Sequence, residues 1–149
     1  MNCVTWNGAK AFCNWIGGRL PTENEWEYAA THNGVKALKT NYPSGSTLTH
    51  CGTANYFNSA RMLFCDGKRE VSSYVGTSSV GTYSPAGDSP LGLVDMAGNV
   101  SEWTATAQSG DYVSKGGSWT HDAAYLYVTS SLSGEPTAKS NYRGFRCAK

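Results

Sequence analysis

The apolar positions of residues 5–16, TWNGAKAFCNWI, fall at Ala9, Phe12, Cys13 and Ile16. That three-and-four spacing marks one face of a helix, and Gly17-Gly18 supply a stop. A second helix is predicted to open at Thr22, with Trp26, Ala29 and Ala30 as its buried stripe. Thr22 and Glu25 stand at capping-box spacing, and Glu23, Glu25 and Glu27 suit the positive end of the helix dipole. From His32 to Ser89 no long period survives. Turn signals such as Tyr42-Pro43, Asp66-Gly67 and Pro85-Ala86-Gly87 separate aromatic and β-branched residues that imply short strands. Residues 91–105, 111–119, 124–130 and 144–148 read as further strands. Two helices followed by an irregular β region predict one α+β domain over residues 1–149, without internal repeats.

Composition narrows the picture. Charged residues are 15% of the 149 and the formal net charge is +1, which argues against a nucleic-acid or anionic-membrane footprint. No apolar run approaches the ~18 residues of a membrane span. Met1 stands directly before a structured segment, so the sequence reads as one domain of a longer protein, with any export signal outside it. Seventeen Gly, with many Ser, Thr, Asn and Tyr, point to a loop-rich domain. The five cysteines lack the CxxC or Cys/His spacing of a zinc site. They read either as buried thiols of a cytosolic protein or as two disulfides plus one leftover thiol in an oxidising compartment.

Candidate chemistry is sparse. In DMAGNVSEW, Asp95 and Glu102 are hard oxygen ligands flanking a Gly-Asn turn whose carbonyls can point the same way. That set suits calcium better than zinc. The other reading is a turn capped by Asn99 between two solvated carboxylates. His32, His50 and His121 are scattered, with no HExxH and no nucleophile elbow. His121-Asp122 lies beside several serines, but sequence neighbours make a poor catalytic triad.

Three segments are more particular: GGRLPTENEWEYAA (17–30), GLVDMAGNVSEW (92–103), and GGSW (116–119) with GFRCA (144–148). In order and over nearly the whole chain they resemble the formylglycine-generating enzyme (sulfatase-modifying factor) family, a branch of the C-type-lectin fold. The resemblance implies an α+β domain of two helices and small irregular antiparallel sheets. It implies a structural calcium at Asp95, Glu102 and the carbonyls of Gly98 and Val100. A second calcium site would use Asn55 and the Tyr56 carbonyl, but its aspartate falls near Ser72. Cys13 and Cys147 match positions that are disulfide-bonded in the family. Cys51 and Cys65 flank one loop and are expected to pair, which leaves Cys3 odd. Ser101 stands where the family usually carries Trp.

The family's oxidase activity needs two copper-binding cysteines after the GGS motif, and those positions are His121 and Leu126. The thiolate pair that holds copper(I) is gone, so the expectation is no copper and no enzyme. An iron-using branch keeps its ligands largely in a separate helical domain. An oxidoreductase is therefore the disfavoured reading.

Residues 119–143, WTHDAAYLYVTSSLSGEPTAKSNYR, are rich in Tyr and small polar residues, the chemistry of an adaptable paratope. They resemble the C-terminal variable region of the variable proteins of diversity-generating retroelements, many of which use this fold. Adenine-directed mutagenesis in such systems cannot yield Lys, Glu, Gln, Met or Trp. None occurs over 120–134, which chance would give about one time in ten. The expected ligand-binding residues are Trp119, His121, Asp122, Tyr125, Tyr127, Ser131, Ser133, Asn141 and Tyr142. The expected function is a receptor-type domain, monomeric by default, at an extracellular, cell or virion surface, with a protein or glycan ligand. The alternative is a divergent accessory or surface domain without catalysis.

Overall fold

The computed structural model describes residues 1–149. Helix α1 spans Trp6–Trp15 and is capped by Thr5, whose hydroxyl accepts the Gly8 N–H at 3.0 Å. Its buried face is Trp6, Ala9 and Cys13. Phe12 and Ile16, expected inside, are exposed instead. The inward stripe is set by Trp6, which stacks on Tyr112 and donates from Nε1 to the Thr104 carbonyl at 2.8 Å. That rotates Phe12 outward onto the rim formed by Phe145.

Helix α2 spans Glu23–Thr31, and both halves of its capping box are made. Glu25 N–H donates to Thr22 Oγ1 at 3.2 Å, and Thr22 N–H to Glu25 Oε2 at 2.8 Å. Trp26 and Ala30 are buried against Met96 and Val128. The outer acids have a use that helix-dipole reasoning missed. Lys115 is wholly buried, and its ammonium donates to Glu27 at 2.7 Å and to Glu23 at 3.2 Å.

The strands are short. β1 (Phe64–Asp66) and β2 (Arg69–Val71) form a hairpin about the predicted Asp66-Gly67 turn. The main sheet holds β3 (Ser101–Gln108), β4 (Asp111–Lys115), β5 (Ser131–Gly134) and β6 (Arg143–Phe145), in the order β5-β4-β3-β6. β5, β4 and β3 pair antiparallel, as expected. β6 instead runs parallel to β3, because residues 135–142 carry the chain across to the far edge of the sheet.

Of the expected strands, 91–105 forms only from Ser101 onward and 124–130 does not form. Residues 91–100 form turns, with Asp95 and Asn99 in the left-handed region. Residues 123–126 form one turn of 3-10 helix, Ala123–Leu126, capped by the Asp122 carboxylate. No helix is long and apolar enough to cross a membrane.

Disulfides join Cys13 to Cys147 and Cys51 to Cys65, while Cys3 is unpaired and exposed. The first ties α1 to the residues just after β6, beside a cluster of Trp6, Ala9, Leu20 and Trp103. A neighbouring cluster of Tyr42, Ala54, Tyr56, Ala97 and Leu126 supports the loops over which the candidate site is built.

Candidate functional site

Two places gather the expected residues. The first is the turn before β3. Gly98 has φ of 72°, and any side chain there would run into the Asn55 backbone, so only glycine lets the two segments touch. The Gly98 N–H donates to the Gly116 carbonyl and the Asn99 N–H to the Asn55 carbonyl, both at 2.8 Å. The Asn99 side chain clamps Ser78, accepting its N–H at 3.0 Å and donating to its carbonyl at 3.2 Å.

Asp95, Asn99, Val100, Glu102 and Arg146 line one cavity of about 290 Å³. The picture of two solvated carboxylates fails here. Glu102 is 6% exposed and accepts Trp26 Nε1 at 2.7 Å. It also takes two hydrogen bonds from the Arg146 guanidinium, at 2.6 and 2.7 Å. Burial pushes the Asp95 carboxyl above its usual range; the Gly81 N–H opposes that shift and the nearby Glu102 charge adds to it. The carbonyls of Gly98 and Val100 accept no hydrogen bond within the protein. Of the four expected calcium ligands, Asp95, Val100 and Glu102 line this cavity and Gly98 does not, and both Glu102 oxygens already hold Arg146. The second calcium constellation fares worse. The Tyr56 carbonyl already accepts from His50 at 2.8 Å, and Ser72 is exposed.

The second place is the surface over residues 118–142. Trp119, expected at the ligand, is 2% exposed and belongs to the core beneath it. Its indole meets the edge of Tyr74 at 4.5 Å and donates to the Asn141 carbonyl at 3.5 Å. His121 sits half-buried between Tyr125 (5.2 Å) and Tyr142 (5.4 Å), with Nδ1 2.7 Å from Ser118 Oγ. Burial, helped by the charge of Arg143, holds its pKa below the usual imidazole value. Asp122 turns to Ser59 and to the Ala123 N–H rather than to His121, so no triad assembles.

Tyr125 and Tyr127 are exposed, and Tyr127 lies over Tyr42 at 5.0 Å. Burial, with a smaller effect of Tyr127, pushes the Tyr42 hydroxyl up to about 12. Asn141 donates to the Tyr74 hydroxyl at 3.1 Å. Residues 118–125 and 141–142 thus share one aromatic rim with Tyr74, which sequence reasoning missed because it lies 45 residues before Trp119. Ser131 and Ser133 are exposed on edge strand β5 and take no part in the side-chain contacts that build that rim. Arg143 ties the two regions together. Its guanidinium lies over the Trp103 ring and donates to the Ser133 carbonyl at 3.2 Å.

The position of the family's second copper cysteine is decided by packing. Leu126 is fully buried among Tyr42, Ala54, Tyr56 and Ala97 and has no donor atom, so His121 has no thiolate partner there. These residues do not fit copper(I).

All residues, 1–149, match the sulfatase-modifying factor enzyme 1-like domain. The chain belongs to that family. Within the family, it is 38% identical to a Bos taurus protein named inactive C-alpha-formylglycine-generating enzyme 2, over 97% of this chain and 48% of that one. It is 33% identical to a formylglycine-generating enzyme of Thermomonospora curvata, over 97% and 54%. The chain thus spans about half the length of these curated relatives. Among solved structures, Treponema denticola variable protein 1 superposes with a TM-score of 0.69 at 22% identity, covering 97% of this chain and 69% of that one. This family domain therefore has the C-type-lectin-like fold of the formylglycine-generating enzyme type.

Proposed function

We propose that this member of the sulfatase-modifying factor family is a non-catalytic binding domain that meets a protein or glycan through the rim of Tyr74, His121, Tyr125, Asn141 and Tyr142, together with the exposed Tyr127. The observation that carries the reading is the fate of the two copper positions. Leu126 has become core, and His121 has become part of an aromatic surface with small polar neighbours. Exposed tyrosines on a rigid base offer contact area at low entropic cost. The name of the Bos taurus relative supports the absence of catalysis, and that of the Treponema structure supports diversification of this face. The two disulfides suit an oxidising compartment at an extracellular, cell or virion surface. Calcium at Asp95, Gly98, Val100 and Glu102 is a structural element of the same proposal.

The test begins with panning the domain against glycan and cell-surface protein arrays, followed by affinity measurements on variants. Tyr125→Ala and Tyr142→Ala are expected to weaken binding by about 30-fold, equivalent to ~2 kcal/mol. Ser131→Ala and Ser133→Ala should change it little. Trp119→Ala should lower stability by about 3 kcal/mol or more, as a core truncation does. Unchanged affinity in both tyrosine variants would overturn the reading. Oxidation of a cysteine-containing peptide by the domain with copper and oxygen would overturn it too.

A further inference from the structure

The largest grouping of soft ligand atoms lies away from the rim, where the loop before β1 meets the β1–β2 hairpin. An imidazole nitrogen of His50 and the sulfurs of Cys51 and Cys65 all lie within 4.8 Å of one another. Both cysteines are buried, and the His50 side chain is 5% exposed. We propose that, once the Cys51–Cys65 bond is reduced, these three residues form a binding site for zinc, with Glu70 at the fourth position.

The hydrogen bonds around His50 already suit that role. Nε2 lies 2.8 Å from the Tyr56 carbonyl, which can only accept, so the proton on this nitrogen is fixed. Nδ1 faces the Glu70 carboxylate, which also only accepts, so zinc would take the place of the proton between Nδ1 and Glu70. Nδ1 is the nitrogen nearer to Cys51 Sγ, at 3.5 Å against 3.8 Å for Nε2. A backbone acceptor on the distal nitrogen is the usual arrangement for a metal-bound histidine. Glu70 Oε1 stands 2.9 Å from Nδ1 and is held there by Arg61 at 2.7 Å. A zinc ion with bonds of about 2.0–2.3 Å to N, O and S keeps its ligand atoms roughly 3–4 Å apart, so modest side-chain adjustment suffices.

The chemistry balances with a dithiol as reductant. Two electrons and two protons pass from the dithiol to the protein, the Cys51–Cys65 bond breaks, and the reagent leaves as its own disulfide. Zn²⁺ then displaces both thiol protons and the proton between His50 Nδ1 and Glu70 to solvent, and forms two Zn–S bonds, one Zn–N bond and one Zn–O bond to Glu70 without changing oxidation state. The loop between residues 51 and 65 is thus closed either by a covalent bond or by the ion, according to redox conditions.

The test reduces the full chain with a dithiol, with and without Zn²⁺, and reads native mass, cysteine alkylation and far-UV circular dichroism. A Cys51→Ser/Cys65→Ser chain is treated in parallel. The expected result is one bound zinc, at least a ten-fold slower alkylation of Cys51 and Cys65 with zinc, and unchanged alkylation of Cys3. Glu70→Ala should weaken zinc binding by about ten-fold. Equal alkylation with and without zinc overturns the proposal, as does equal zinc uptake by the double-serine chain. If reduction unfolds the protein, zinc must preserve the wild-type fold more than that of the double-serine chain. Equal unfolding of the two also overturns it.

Discussion

Asp95 shows how one side chain reports on a ligand. Its carboxyl is raised by burial and by the Glu102 charge, so in chelator its ionised form disfavours the fold. Between the usual carboxylate pKa and the raised folded value, the native state holds more protons than the unfolded state. Stability in chelator therefore falls as pH rises through that window. Calcium at the proposed site should reverse this effect by preferring the ionised form. Asp95→Asn is expected to leave the chelated protein equally or more stable, and to abolish the rise in melting temperature that calcium gives the wild type. Melting curves of both chains in calcium and in chelator, at pH 4.5 and 7, check this. A calcium response that survives in Asp95→Asn would remove the site. Glu102 is the poorer probe, because its loss also strips Arg146 and Trp26 of their shared acceptor.

At the scale of elements, the local signals were legible and the long-range ones were not. The Thr22–Glu25 capping box is written within four residues, and it forms as read. The inward face of α1 depends on Tyr112 and Thr104, a hundred residues away, and it favours Trp6 over Phe12 and Ile16. Ser101, standing where the family usually carries Trp, is buried, with its hydroxyl on the Tyr142 carbonyl at 3.3 Å. Within the candidate site, composition together with the family resemblance singled out His121, Tyr125 and Tyr142. Tyr74 was not, since only the tertiary fold brings it to Trp119.

The contact between α2 and β4 is similarly hidden, and it yields a prediction. Lys115 is fully buried, while Glu23 and Glu27 remain partly exposed. Glu23→Gln/Glu27→Gln would leave a buried ammonium without a counter-charge and should cost about 3 kcal/mol. Lys115→Met leaves two carboxylates that water can reach, and should cost clearly less. Urea melts of the three chains at pH 7 compare them; the reverse order would mean that Lys115 acts by packing rather than by charge.

Over the whole molecule, the two disulfides close loops of very different length. The sequence separations are 134 for Cys13–Cys147 and 14 for Cys51–Cys65. Chain-entropy reasoning assigns about 5 and about 3 kcal/mol to loops of these sizes. Cys13→Ala/Cys147→Ala should therefore lower stability more than Cys51→Ala/Cys65→Ala in oxidised protein, as read by chemical denaturation. An equal loss from both would show that the longer bridge adds little beyond what β6 pairing already enforces.

The place of β6 also sets when the domain can form during synthesis. Residues 143–147 supply the strand that pairs with β3, the guanidinium that satisfies Glu102, and the partner of Cys13. A nascent chain that has emerged only as far as residue 140 exposes one edge of β3, a buried carboxylate without its arginine, and a lone thiol on α1. Folding is then a late event, completed after the last of these residues leaves the ribosome. Such a dependence on distant contacts favours slow folding and a need for protection on the way.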